Sequence, residues 1–300
     1  MKNLFKSKKA IIIAIAALVA VIALVVVLVI LLGSGKNESY RTVKIYQIDG
    51  NAEIYRDGGE PIAPYVNMLL EAGDEIKTLE DGYLYIKLDE DKYLMATPNS
   101  SFTLEAKGKA ENGKTHIELK SGDIKVHVIN PLNDGAEFNV STGNSTMAIR
   151  GTSFGVSYAG ENGGEVQYEV YDGTVSVSAP DGEHTVDEGK ALDVSSAGST
   201  EREVDYTDMD IPDLEFIKFG IEQGNNMTIT PEQIDDIIEN KNKGMVTVTF
   251  KYGDRVFAVI PVKKGTRIFN PTFKPSSDGG WDFDFSQVIN EDTVIDWKKK

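Results

Sequence analysis

Three histidines, His116, His127 and His184, are the only imidazoles in the chain, and they are the first place to look for general acid–base or metal chemistry. His116 and His127 fall on the polar phases of segments whose apolar residues are Ile117, Leu119, Val126 and Val128, and His184 follows the turn dipeptide Asp181-Gly182. Nothing in this spacing gathers them, so they read as exposed strand and turn residues. Asp89 and Asp91 are the acid pair a glycosidase would need across a cleft, but so close in sequence they read as hydrated turn carboxylates. The chain has no Gly-x-Ser-x-Gly elbow, no His-Glu-x-x-His and no phosphate-cradling glycine loop with Lys-Ser or Lys-Thr, and Gly163-Gly164 reads as a hairpin turn. We therefore expect no catalytic residue, no cofactor site and no metal site. The absence of cysteine removes disulfides, thiolate ligands and a catalytic thiol.

Arg150 is the polar residue that stands out. It interrupts the apolar alternation of Thr146–Val156, where an arginine either pairs with an internal acid to hold the fold or recognises an anionic group on a ligand. Arg150, Gly151 and Thr152 are accordingly the candidate binding residues. The tyrosines Tyr83, Tyr85, Tyr93, Tyr158, Tyr168 and Tyr171 suit either a glycan or protein platform or ordinary sheet positions.

The elements that would carry these residues are mainly β. From Val43 the chain alternates in short segments, with Leu84, Ile86 and Leu88, Ile117 and Leu119, and Ile124, Val126 and Val128 each on one face. Gly73-Asp74, Asp81-Gly82, Gly122-Asp123 and Asp172-Gly173 supply turns. The pattern predicts a β sandwich or roll. Met147 and Ile149 sit on odd positions but Phe154 and Val156 on even ones, so a β-bulge or bend is expected at Arg150-Gly151.

In front of this body Ala10–Leu32 is apolar without interruption, about 35 Å as a helix against a hydrocarbon core of roughly 30 Å. Lys2, Lys6, Lys8 and Lys9 precede it with no acid among them, which keeps residues 1–9 in the cytoplasm and sends the remainder out. The alternative, a cleaved secretory signal, also leaves the body extracytoplasmic. The formal net charge is −16, and four of the 31 basic residues stand before the apolar run, so the outer part is more acidic still. That balance disfavours nucleic acid and leaves proteins, glycans or cations as partners.

The ordered series Glu71-Ala-Gly-Asp74, Ile76-Lys-Thr78, Leu119-Lys-Ser-Gly122, Phe138-Asn-Val140, Ile149-Arg-Gly-Thr-Ser-Phe154, Tyr171-Asp-Gly-Thr-Val175 and Glu188-Gly189 resembles the FecR domain. The resemblance covers residues 43–194 and implies a β-rich extracytoplasmic module of membrane-bound sensors and surface proteins. Well-known members carry a sigma-factor-regulating domain before their span; nine residues cannot supply one, so any signal is expected to pass to a separate partner.

Residues 195–243 read as an acidic linker followed by two short helices, Asp213–Gln223 and Pro231–Lys241, the second signalled by Thr230, Pro231 and Gln233. Val246-Thr-Val-Thr-Phe250, Val262-Lys-Lys-Gly265, Asn270-Pro271, Pro275, Trp281-Asp-Phe283, Phe285-Ser286 and Thr293-Val-Ile-Asp-Trp297 resemble the Listeria-Bacteroides repeat, which implies a small β-grasp-like module over 244–300. The expected organisation is thus a stub (1–9), a transmembrane helix (10–32), a spacer (33–42), a FecR-like β domain (43–194), the connector and a distal β domain. The expected function is non-catalytic binding of a protein or of an envelope or glycan ligand at the cell surface, with signalling through a partner. An adhesive or structural surface protein is the first alternative and a carbohydrate-active enzyme the second.

Overall fold

The computed structural model describes residues 41–110, 112–160 and 164–299, so the expected membrane span, the stub and Gly163 lie outside the described residues. Among the described residues no helix is long and apolar enough to cross a membrane. The chain divides into two compact units, one running to Val204 and taking in Phe219–Thr228, the other formed by Asp205–Lys218 and Ile229–Lys300.

The first unit is two antiparallel-rich sheets that share one long strand. Sheet one has the order β1 (Val43–Asp49), β4 (Tyr83–Leu88), β5 (Lys92–Ala96), β7 (Lys114–Val128), β10 (Ser153–Tyr158), β11 (Val166–Asp172), β14 (Lys190–Ser195) and β15 (Gly198–Glu203). Sheet two runs β2 (Ala52–Tyr55), β3 (Glu75–Thr78), β6 (Ser101–Lys107), β7 again, β8 (Glu137–Ser141), β9 (Thr146–Ile149), β12 (Thr174–Ala179) and β13 (Gly182–Asp187), with β7 and β8 parallel. The first half of β7 pairs in sheet two and its second half in sheet one. It turns from one to the other at Gly122, whose φ is 90° and where a Cβ would lie 2.4 Å from the Ser100 Cα. Only glycine fits there. The apolar phases of both sheets meet in a single core that includes Ile54, Leu84, Phe102, Ile117, Ile124, Phe138, Met147, Phe154 and Val177.

The bend expected at Arg150-Gly151 is the second crossing between sheets. β9 pairs with β8 and β12 in sheet two, whereas β10 pairs with β7 and β11 in sheet one. The odd phase of Met147 and Ile149 and the even phase of Phe154 and Val156 thus point into the same core from opposite layers. The segment read as a solvated linker from Ser195 onward instead begins with β15, which hydrogen-bonds to β14 throughout its length and adds an edge to sheet one. Its sequence, Gly-Ser-Thr-Glu-Arg-Glu, carries no apolar alternation because as an edge strand it buries no face of its own.

The helices are α1 (Ile211–Gln223), whose residues fall in both units, and α2 (Pro231–Asn242). The capping box of α2 is formed: the Gln233 amide donates to the Thr230 hydroxyl at 3.3 Å and the Thr230 amide to Gln233 Oε1 at 2.9 Å. In the second unit β16 (Met245–Tyr252), β17 (Arg255–Lys263), β18 (Gly280–Trp281) and β19 (Thr293–Lys298) form a sheet in the order β17-β16-β19-β18 with β16 and β19 parallel. The central pair of that order is parallel and the outer strands are antiparallel to their neighbours. Phe250, Trp281, Trp297, Val248, Ile289 and Ile295 make its core, and the Trp281 ring meets those of Phe250 and Trp297 edge to face at 5.0 and 5.1 Å.

Candidate functional site

The Arg150-Gly151-Thr152 corner separates into a structural part and a free one. Gly151 has φ 122°, and a Cβ there would stand 2.7 Å from the Pro131 Cα. The carbonyls on either side are used by the 128–132 segment: the Leu132 amide donates to Arg150 O at 3.1 Å and the Val128 amide to Thr152 O at 3.0 Å. Thr152 is buried, its methyl facing Gly173 and its Oγ1 without a hydrogen-bond partner. Arg150, by contrast, projects into solvent rather than sitting in the core, and its guanidinium makes no ion pair among the described residues. It lines a groove of about 690 Å³ with Glu137, Asn139, Ala148, Thr174 and Ser176. An exposed guanidinium beside hydroxyl and amide side chains can take a carboxylate, sulfate or phosphate group.

The acid pair Asp89 and Asp91 is locked rather than hydrated. Asp89 Oδ2 is 2.9 Å from Arg41 Nη2 and 3.6 Å from Lys92 Nζ, and Lys92 Nζ is 2.6 Å from Asp91 Oδ1. Arg41 also donates to Thr115 Oγ1 at 2.8 Å. These groups line a cavity of about 260 Å³ together with Asn130–Asn133. The arrangement is an ion-pair network, not two carboxylates facing a substrate across a cleft.

The histidines are dispersed, as expected, but His127 is not exposed. It is fully buried, with Nδ1 2.5 Å from the hydroxyl of the equally buried Ser153. A Cβ on Gly220 would lie 2.6 Å from its Cε1. The Phe219 ring packs edge to face on Tyr93 at 4.9 Å, and Asn225 Nδ2 donates to Asp172 at 3.0 Å. Residues 219–228 thereby cover the outer face of sheet one, some ninety positions downstream of the strand they bury, a contact that strand periodicity cannot announce. The same covered row holds Lys125, bonded to Asp123 at 3.0 Å, and Glu169, which accepts from the Tyr171 hydroxyl at 2.7 Å. Burial pushes Glu169 above the ordinary carboxylate range, against the pull of Tyr171, Lys125 and Arg202. The Ser153–His127 pair is enclosed on every side, so it positions the cover and offers a substrate no approach. His116 bonds Ser141 at 3.1 Å, and His184 lies 3.0 Å from Asp181. The Ser199 hydroxyl and His184 hold the Asp181 carboxyl down to about 2. Among the described residues no three His, Cys, Asp or Glu side chains are grouped to hold a metal ion.

Three of the tyrosines offer no platform: Tyr158, Tyr168 and Tyr171 are buried, with Tyr168 OH 2.7 Å from Ser145 Oγ, whereas Tyr83, Tyr85 and Tyr93 are half-buried. An exposed apolar surface of this unit lies elsewhere. Ile62 bridges to Ile54 at the edge of sheet two and Leu69 to Lys44 at the edge of sheet one, so residues 62–70 form a strap across both edges. Backbone bonds fix it: Ile62 and Ile54 exchange bonds at 2.8 and 3.0 Å, Asn67 donates to Ile45 O at 2.8 Å and Leu70 to Val43 O at 2.9 Å. The strap protects the edges from pairing but leaves Ile62, Tyr65, Val66 and Leu69 exposed beside Tyr46, Tyr65 at 64% and Leu69 at 62%. Sequence reasoning missed this surface, although Pro61-Ile-Ala-Pro-Tyr-Val is apolar without strand alternation, a signal for an exposed or covering segment.

Two solved structures, both described as a candidate anti-sigma factor from Parabacteroides distasonis ATCC 8503, are similar to the chain. One is 13% identical over 58% of this chain and 92% of its own, with a TM-score of 0.39; the other is 12% identical over 75% and 99%, with a TM-score of 0.40. No curated protein is similar to the chain by sequence. The family model described as FecR protein matches residues 74–176, which run from β3 into β12 and include both crossings between the sheets, so this central part of the β unit is similar to FecR.

Proposed function

We propose that the protein is a single-pass plasma-membrane protein, amino terminus in the cytoplasm, whose extracytoplasmic β unit binds another protein without catalysing a reaction and relays that binding to a separate signalling partner. The observation that carries the reading is the strap: Tyr46, Ile62, Tyr65, Val66 and Leu69 are held in water by a rigid backbone, on a unit whose centre matches FecR protein. Apolar side chains fixed outward in this way suit a protein interface, where tyrosine is enriched. A regulatory role agrees with that family match, and the locked Asp89–Asp91 network and enclosed Ser153–His127 pair argue against hydrolysis. The distal unit is read as a Listeria-Bacteroides-type repeat, supported by the parallel central pair of its sheet.

A second reading is favoured by the Arg150 groove, which suits an anionic group on an envelope or glycan ligand and would fit an adhesive role. The topology is tested by cysteine accessibility, because the chain has no cysteine of its own. In intact cells a membrane-impermeant maleimide should label Glu183→Cys and spare Lys6→Cys until the cells are broken. Labelling of Lys6→Cys alone in intact cells would overturn the orientation.

A further inference from the structure

In the second unit β17 and the loop after it combine two properties. From Arg255 to Ser277 the chain carries Arg255, Lys263, Lys264, Arg267 and Lys274 and no acidic residue, in a protein whose formal net charge is −16. Within the same stretch Phe269 is 94% exposed, the highest value for a large hydrophobic among the described residues.

The exposure is not that of a frayed end. The Gly265 amide donates to Ile289 O at 2.7 Å, the Ile289 amide returns a bond to Thr266 O at 2.8 Å, and the Thr266 hydroxyl bonds Lys263 O at 2.7 Å. Ile268 packs on the core. On the far side the Phe273 ring meets Phe250 and Trp281 at 5.5 Å each, and Trp281 Nε1 donates to Phe273 O at 3.3 Å. The tip, Phe269–Thr272, is left standing out, with Lys263, Lys264, Arg267 and Lys274 exposed around it and in no salt bridge among the described residues. Asp284 and Asp292 are the acids that face Arg267 and Lys264, and they are occupied by Ser286 and Thr247.

We propose that this loop docks on an anionic lipid bilayer, Phe269 entering the boundary between headgroups and acyl chains while the four cations meet the headgroups. Charge complementarity selects an anionic surface. The aromatic selects a bilayer: phenylalanine has no hydrogen-bonding handle to offer a soluble polyanion, but gains by leaving water at an interface. The distal unit would then be a second point of membrane attachment, independent of the strap and of any signalling role.

The test uses the full chain reconstituted into vesicles, with Asn270→Cys carrying the only thiol and a polarity-sensitive dye. In vesicles containing about a third phosphatidylglycerol we expect the dye emission to shift to the blue and to be quenched by nitroxide-labelled lipid; in phosphatidylcholine alone it should remain water-like. Each cation near an anionic surface contributes about fivefold. The Lys263→Gln, Lys264→Gln, Arg267→Gln triple variant should therefore lower the equilibrium constant for lipid contact about 100-fold, and Phe269→Ser should abolish the quenching. Unchanged fluorescence of the buried Trp281 and Trp297 establishes that each variant is folded. Identical emission in the two lipids, or wild-type quenching in Phe269→Ser, overturns the proposal. So does a blue shift produced by soluble polyphosphate over neutral vesicles, which would make the loop a polyanion reader.

Discussion

Replacing Gly151 with alanine tests whether the Ile149–Phe154 motif is a device for crossing between sheets. At φ 122° an L-residue is strained, which costs about 1–3 kcal/mol. The added Cβ also falls 2.7 Å from the Pro131 Cα, a backbone atom that cannot swing aside, and relieving that overlap costs about 1–3 kcal/mol more. The bonds from Leu132 to Arg150 O and from Val128 to Thr152 O hold the two segments together and resist the shift. A total of about 2–6 kcal/mol should lower the urea midpoint of the β unit, followed by far-ultraviolet circular dichroism, by about 0.7 M or more at slopes of about 1–3 kcal/mol per molar. Arg150→Gln, one residue away, should change stability by less than about 0.5 kcal/mol because its side chain is exposed and unbridged. The reasoning fails if Gly151→Ala unfolds at the parent midpoint, or if Arg150→Gln is as damaging as Gly151→Ala.

Phe102, fully buried where β6 meets the shared core, should cost about 3–5 kcal/mol when cut to alanine, read as a lower urea midpoint. Thr230→Ala breaks the capping box of α2 and should cost about 1 kcal/mol, seen as faster amide exchange over residues 231–242. The Glu169 carboxyl is held above the ordinary carboxylate range, with burial the leading cause. A group whose folded pKa is raised contributes stability that is full below the unfolded value and is lost as pH climbs through the folded one. Glu169→Gln should therefore gain on the parent between pH 4 and pH 8 in urea midpoint; an equal difference at both pH values would contradict this.

Much of the β unit could be read from phase. Met147 and Ile149 against Phe154 and Val156 located a break at Arg150-Gly151 because a strand cannot change the face of its apolar residues without a bend. The same switch stands in Ile117 and Leu119 against Ile124, Val126 and Val128, and marks the turn of β7 at Gly122. What stayed hidden was non-local. His127 and Lys125 alternate as if solvated, and only the return of Phe219–Thr228 buries them. Tyr168 and Tyr171 fitted a platform or a sheet position alike because tyrosine suits a wet or a buried place, and the partners that decide are Ser145, in the turn before β9, and Glu169, two residues back on β11. β15 escaped notice since an edge strand with both faces polar carries no alternation. Of the candidate binding residues, Gly151 and Thr152 have structural occupations, and Arg150 alone remains available.

Photo-crosslinking in intact cells puts the strap to the most direct trial. A benzophenone amino acid placed at Tyr65 or Leu69 should give a discrete adduct of one protein, and the same probe at Glu183, on the exposed edge strand β13, should give none. Adducts at all three positions alike, or none at Tyr65 and Leu69, would contradict a binding role for this surface.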